Sequence, residues 1–249
     1  MERLTSRKNE IIRRFRALGR LREAREERGE FLCAGGKLLK EALRAGAEIT
    51  GALWSAAPAA EIPGAAQYLV PPELLDYVSP LSNTADVVFT VKMRSWASGP
   101  PGRCLVLETI QDPGNLGTIL RTADALFLDT VILTGECADL YNPKTVRATM
   151  GAVFRQRVYQ MELREMRDYL TAHGVKLYGA ALRPGARDLR AAALSGAAVA
   201  IGSEGRGLSD ALLALCDGEL IIPMRQRCES LNAAVAAAII LWEMLRADG

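Results

Sequence analysis

The sequence predicts an α/β fold in two parts, a smaller mixed α/β unit followed by a mostly parallel sheet covered by helices on both faces. Three observations carry this reading. From Cys104 onward, short runs of continuous apolar character alternate with helical stretches; "GPPG" at 99–102 breaks the chain just before that alternation; and 249 residues suit two modest cores. We therefore divide the chain into residues 1–92, a linker at 93–103 and a second domain at 104–249.

In the first part, an Arg-rich helix precedes "GEFLCAGGKLLKEALRAG", which reads as strand, Gly turn and helix, and "ITGALWSA" reads as a further strand. In the second part, the strands are "CLVLETI", "TVILTG", "VKLYGAAL", "AAVAIGS" and "ELIIP". Helices are expected at 115–127, near 143–150, over "ELREMRDYLTAHG", at 208–216 and at 230–246. In a parallel sheet, ligands sit at the carboxyl ends of the strands, so the loops there are the ones to inspect.

Composition narrows the function classes. With 49% hydrophobic and 24% charged residues the chain is of ordinary globular type. Its longest apolar stretch, "LNAAVAAAIILWEML", is broken at Glu243 and falls short of the roughly 20 residues of a membrane span. The first residues lack the apolar run of a signal peptide, and a cytoplasmic location is expected. Five scattered cysteines, Cys33, Cys104, Cys137, Cys216 and Cys228, form no Cys-x-x-Cys pair and read as reduced packing residues. The single histidine, His173, stands before Gly174 at an apparent helix end, a place that suits the helix dipole better than catalysis. No metal site is expected. Residues 1–45 carry 13 Lys/Arg against 7 Glu, a net of +6 in a chain whose total is +2. That front end is either a phosphate-binding surface or a solvated helix face with pairs such as Arg22–Glu26.

Three loops stand out. In the helix after "CLVLETI", Leu116, Ile119, Leu120, Ala123, Leu126 and Phe127 form one apolar stripe, and at about 100° per residue Arg121 lies about 140° round from Leu116, away from the core. Asn115 and Gly117 sit at that helix's N-terminal end, where free N–H groups favour an anion; the plainer reading makes Asn115 an N-cap and Arg121 a surface cation. "AIGSEGRGLSD" joins a strand to a helix that Ser209 could cap, and its Gly202, Gly205 and Gly207 let a ligand approach the backbone; it is neither a Walker loop nor a dinucleotide fingerprint. "IIPMRQRCESLNAAVAAAII" runs from a strand into a long helix expected to be capped by Ser230 or Glu229, with an Ala-rich face at 233–238 suited to close packing in a core or a subunit interface.

Together these residues resemble the three ordered motifs of the SpoU/TrmH family of RNA 2′-O-methyltransferases, in the SPOUT superfamily. Asn115-x-Gly117-x-x-x-Arg121 is similar to the first, "GSEGRGLS" at 202–209 to the second, and "IPM" at 222–224 with "SLNAAVAAAI" at 230–239 to the third; "VRATMGAVF" at 146–154 resembles the connecting segment. In the third motif "RQRCE" replaces the usual Gly after Pro-Met. "FLCAGGKLLKEAL" resembles the family's N-terminal RNA-binding domain, similar in fold to a ribosomal protein, with Ala34 where an acidic residue is frequent.

The resemblance implies a knotted C-terminal methyltransferase domain with S-adenosylmethionine bound in the knot by Gly202, Glu204, Gly205, Ile222, Met224, Ser230, Leu231 and Asn232. It implies Arg121 as the catalytic base or positioner. The guanidinium's pKa above about 12 favours positioning and charge stabilisation, with Asn115 and Glu204 orienting the partners and Ser230 on a phosphate or the cofactor. It also implies a homodimer packed through the knot region, with Arg121 completing the neighbouring subunit's site, and ribosomal RNA as substrate. Alternatives are a transfer RNA 2′-O-methyltransferase, a non-catalytic RNA-binding or ribosome-assembly factor, and, from Gly-rich α/β character alone, a nucleotide-dependent oxidoreductase.

Overall fold

A computed structural model describes residues 1–81, 86–225 and 230–247. Two compact units emerge: residues 1–95 with 139–155, and residues 96–138 with 156–249.

The first unit holds β1 (Glu2–Arg3), α1 (Glu10–Arg20), α2 (Arg22–Arg28), β2 (Glu30–Ala34), α3 (Gly36–Arg44), β3 (Ile49–Trp54), β4 (Ala66–Leu69), α4 (Pro72–Val78) and β5 (Val87–Lys92). The Arg-rich helix expected at the front is two helices. Asn9 caps α1 by accepting from the Ile11 N–H at 2.8 Å, and Gly29, in the left-handed region at φ 60°, ends α2. Strand order is β1-β4-β3-β5-β2, with β5 antiparallel to both β2 and β3. Alternation along the strands splits the core between two faces. Leu32, Leu53 and Val88 pack with Phe15, Leu18 and Leu75 from α1 and α4, whereas Phe31, Trp54 and Phe89 pack with Leu38, Leu39, Val146 and Phe154.

Those last two residues correct the expected division, which assigned 139–155 to the second domain. Here α6 (Pro143–Ala148) and the turn after it lie on the first sheet. Asp139 anchors the excursion: Arg25, 3% exposed, donates to its Oδ2 from Nε at 3.0 Å and from Nη2 at 2.5 Å, and from Nη1 to the Leu18 carbonyl at 2.8 Å.

In the second unit, β6 (Cys104–Glu108), α5 (Pro113–Ala125) and β7 (Thr130–Thr134) precede that excursion; β8 (Arg157–Gln160), α7 (Leu163–Ala172), β9 (Leu177–Ala180), β10 (Arg187–Asp188), β11 (Ala198–Ile201), α8 (Asp210–Leu213), β12 (Gly218–Ile221) and α9 (Ala233–Arg246) follow it. The seven strands run in the order β10-β12-β9-β11-β6-β7-β8 with every pairing parallel, as the apolar runs predict. One face packs Cys104, Val106, Ala198 and Ala200 against Met166, Leu170 and Leu212 of α7 and α8; Leu105, Leu107 and Val199 are equally buried and point the other way, where α9 lies on β11 and α5.

Several sequence boundaries move. Asp112, not Asn115, caps α5, so the helix begins at Pro113 in the first-turn position that needs no N–H. Asn232, not Ser230, caps α9, accepting from the N–H groups of Ala234 and Val235 at 3.0 and 3.3 Å; Glu229, the other expected cap, and Cys228 lie outside the described residues. Ser209 caps α8 as expected. The Pro/Gly stretch before β6 is tied down rather than free: Tyr159, Tyr169 and Arg157 donate to the carbonyls of Ala97, Gly99 and Pro100.

Candidate active site

The three loops meet where the carboxyl ends of β6, β11 and β12 open. Asp112 accepts the Asn115 N–H at 2.7 Å, which frees the Asn115 side chain to point outward from the first turn of α5. Its Nδ2 donates to Glu204 Oε1 at 2.5 Å. Asn232 Nδ2 donates to the same oxygen at 2.6 Å and to Asn115 Oδ1 at 3.1 Å, and the Ala233 N–H reaches Glu204 Oε1 at 3.3 Å. One carboxylate oxygen thus gathers a residue from each loop. Because Asn232 Oδ1 caps its own helix, its amide can only present N–H groups to Glu204, and the carboxylate sits at the positive end of α9.

The Gly-rich loop folds back on itself, with Gly207 N–H donating to the Ser203 carbonyl at 2.8 Å and Gly207 at φ 68°. Gly202 lies under that return: a Cβ there would come within 2.1 Å of the Gly207 carbonyl group. Gly205 differs, since a Cβ on it would meet no heavy atom within 4 Å. Its lack of a side chain leaves open space beside the loop.

That space belongs to a cavity of about 370 Å³, lined among others by Gly202, Glu204, Gly205, Ile222, Met224, Ser230 and Leu231. Every cofactor-binding residue expected from the sequence except Asn232 lines it, and Asn232 holds its Glu204. Arg121 is exposed on α5 and lines neither this cavity nor its neighbour within its own chain. The expected loop "RQRCE" lies outside the described residues beyond Arg225.

Sequence reasoning missed Glu108. This carboxylate, 7% exposed, accepts from the Ser209 N–H at 2.7 Å and the Ser209 hydroxyl at 2.6 Å, clamping the exit of the Gly-rich loop to the end of β6. The available signal was an acid closing an otherwise apolar strand, "CLVLE". Thr109, next in the chain, holds φ 56°, which a β-branched residue adopts only under constraint.

Among the described residues the thiols are poor nucleophiles. Burial raises Cys33, Cys104 and Cys137, and pushes Cys216 up to about 12. His173 caps the end of α7, its Nδ1 2.8 Å from the Tyr169 carbonyl oxygen. Among the described residues no group of three or more His, Cys, Asp or Glu could hold a metal ion, and no helix is long and apolar enough to cross a membrane.

The chain is similar to known proteins in both sequence and fold. The family model described as SpoU rRNA Methylase matches residues 102–242. The chain is 33% identical to the 23S rRNA (guanosine(2553)-2′-O)-methyltransferase RlmP of Bacillus subtilis, over 98% of this chain and 99% of that protein. The AdoMet-bound rRNA methyltransferase of Sinorhizobium meliloti superposes with a TM-score of 0.89 at 30% identity, covering 98% of this chain and 97% of that one. The SpoU methyltransferase AviRb of Streptomyces viridochromogenes, in complex with AdoMet, superposes at 0.84 with 28% identity over 96% and 98%.

Proposed function

This chain belongs to the SpoU rRNA methylase family, and from that premise we propose that it transfers a methyl group from S-adenosylmethionine to a ribose 2′-hydroxyl of ribosomal RNA in the cytoplasm. One observation carries the reading: Asn115, Glu204 and Asn232, from three separate loops, share a single carboxylate oxygen at the rim of the 370 Å³ cavity. The cavity suits the cofactor. Its volume is that of a small-molecule site, its walls are largely backbone and apolar side chains, and the open space at Gly205 admits a ligand to the loop's peptide groups.

When bound, the cofactor supplies an electrophilic sulfonium methyl. Ile222, Met224 and Leu231 provide the apolar walls that exclude water, and Gly202 and Gly205 the close backbone approach. Glu204, held by two amide side chains, places negative charge beside that cavity. Ser230 lines the same wall and offers a hydroxyl to the cofactor or a phosphate. Arg121 binds the phosphate next to the target ribose and stabilises developing charge, since a guanidinium keeps its proton.

The position of Arg121, exposed and outside its own chain's cavity, supports a homodimer in which it completes the neighbouring subunit's site. So does α9, whose Val235 and Trp242, 49% and 59% exposed, stand two turns apart with Ala238 and Ile239 between them. The chain after β12 threads through the 202–208 loop as a knot; the grip of Asn232 and Ala233 on Glu204 supports that path. The first domain holds the RNA, where Arg7 and Arg16 stack on Tyr77 at 4.6 and 3.8 Å. Transfer of labelled methyl from S-adenosylmethionine to purified ribosomal RNA, with sites located by resistance to alkaline cleavage, tests the proposal. Cofactor binding without label in any RNA refutes it.

A further inference from the structure

The excursion at 139–155 carries "VRATMGAVF", yet none of its residues lines either of the two cavities beside the Gly-rich loop. It packs instead on α3. Gly151, at φ 101°, lies on the stem of Glu41, where a Cβ on the glycine would stand 2.7 Å from the Glu41 Cβ. Arg155 of the excursion and Arg44 of α3 donate to the two Glu41 carboxylate oxygens at 2.8 and 3.0 Å. Two segments distant in the chain thus form one surface.

The charge on that surface is one-sided. Helix α3 and the excursion each carry three Lys/Arg and one acid. Both acids are already committed, Glu41 to the two arginines and Asp139 to the buried Arg25. Lys37 and Lys40 on α3, with Lys144 and Arg147 on α6, are exposed and enter no hydrogen bond or ion pair among the described residues. Leu38, Leu39 and Ala42 turn the other side of α3 into the core, and at about 100° per residue Lys37, Lys40 and Arg44 fall within about 60° of one another. Lys144 and Arg147 share a side of α6 by the same spacing.

The fold gains nothing from this arrangement. Unpaired like charges repel one another. Lys37 also stands in the first turn of α3, which has no acid and no capping side chain, so its charge opposes the positive end of the helix. A polyanion reverses both costs, because its repeating phosphates need only cations within reach. The surface is separate from the stack of Arg7 and Arg16 on Tyr77: α1 and α4, which carry Arg16 and Tyr77, pack on one face of the first sheet, and α3 and α6 pack on the other.

Resting on the reading of ribosomal RNA as the substrate, we propose that Lys37, Lys40, Lys144 and Arg147 grip the RNA phosphate backbone on this second face, which makes 139–155 a substrate-docking insert. Phosphate contacts fix position without reading sequence, so this face sets affinity and orientation and leaves the choice of nucleotide to other residues.

Fluorescence anisotropy of the full-length protein with an unmodified ribosomal RNA transcript, repeated over a range of salt concentrations, tests the proposal. Each phosphate contact contributes about 0.7–0.9 to the slope of log Kd against log salt. K37Q/K40Q and K144Q/R147Q are each expected to lower that slope by about 1.5, and the fourfold variant by about 3, with Kd raised about 10-fold or more at low salt. In methyl-transfer assays KM for RNA rises, while kcat, Tm and the Kd for S-adenosylmethionine keep their wild-type values. R164Q/K176Q, which removes two exposed cations from the second domain, should keep the wild-type slope. An equal fall in that control overturns the site by reducing the effect to net charge. A wild-type slope and Kd in the fourfold variant overturn it too, as does a lowered Tm that accounts for the lost affinity. Should the slopes fall as expected while the wild-type protein transfers no methyl group, this face stands and the function is refuted; wild-type protein that binds no ribosomal RNA overturns both.

Discussion

Gly202 and Gly205 stand three residues apart in one loop, yet their substitution by alanine has opposite consequences. At Gly202 the new Cβ would lie 2.1 Å from both the carbonyl carbon and the oxygen of Gly207 and 2.3 Å from the Leu208 nitrogen. Restoring an ordinary 3.4 Å contact from 2.1 Å displaces that backbone by about 1.3 Å. Neither partner is a side chain that can swing away, and the Ser203–Gly207 pairing that closes the loop must open. Overpacking of this kind costs about 1–3 kcal/mol. For a chain of this size each kcal/mol lowers Tm by about 2–4 °C, so G202A is expected to melt about 2–12 °C early. It should also lose S-adenosylmethionine, because the displaced segment lines the cavity. At Gly205 the Cβ meets nothing and no left-handed φ is required, so the fold is unchanged or gains up to about 1 kcal/mol from the stiffer unfolded chain. The methyl nevertheless projects into the open space that both cavities share, and cofactor affinity falls. Differential scanning calorimetry with isothermal titration of S-adenosylmethionine reads both quantities. Wild-type Tm and affinity in G202A, or an early melt in G205A, would refute the assignment of these two glycines.

Arg121→Ala is expected to leave stability within about 0.5 kcal/mol of wild type, since the residue is exposed, while methyl transfer drops on the order of 10²–10³-fold. Mixing R121A with G202A subunits should restore activity if Arg121 serves the neighbouring site; an inactive mixture counts against the shared site. Asp139→Ala strands the buried Arg25 guanidinium and should cost about 3–5 kcal/mol in urea denaturation, and a near-neutral result would mean that water or another acceptor takes over. Asp217 tests the pH dependence. Two hydrogen bonds from Arg167, at 2.9 and 3.1 Å, hold its carboxyl below the ordinary 3.8, with help from the Leu177 N–H and against the effect of burial. Its contribution is therefore complete above 3.8 and lost as pH falls through the lower folded value, so D217N should flatten the loss of stability measured below about pH 4.

The chemistry of the site was legible in the chain because it rests on short, local arrangements. A strand of continuous apolar residues followed by a helix announces a loop at a carboxyl end, and Asn115, Glu204 and Asn232 each stand in or beside such a loop. The family resemblance drawn from those loops agrees with the family model over 102–242. Helix starts were less legible. Asp, Asn and Ser are interchangeable as caps, and "QDPGN" and "SLN" each offer more than one candidate.

Sequence by itself determined the period of the strands and helices and hence most of their buried faces, and it placed the loops that carry Asn115, Glu204 and Asn232 at the ends of strands. Phe127, expected in the apolar stripe of α5, is instead 72% exposed, because the helix ends at Ala125 and the chain turns there at φ 56°. Only the tertiary structure decided what those buried faces meet. A period of two or 3.6 specifies a face but carries no address for its partner, so 139–155 reads as second-domain sequence while Val146 and Phe154 pack beneath Phe31. The same holds for the hydrogen bonds that build the site. Asn115 finds Glu204 across 89 residues, and Glu108 finds Ser209 across 101, because β11 pairs with β6. That pairing is a property of the whole sheet's order, fixed by the burial of all seven strands at once and written in none of them alone.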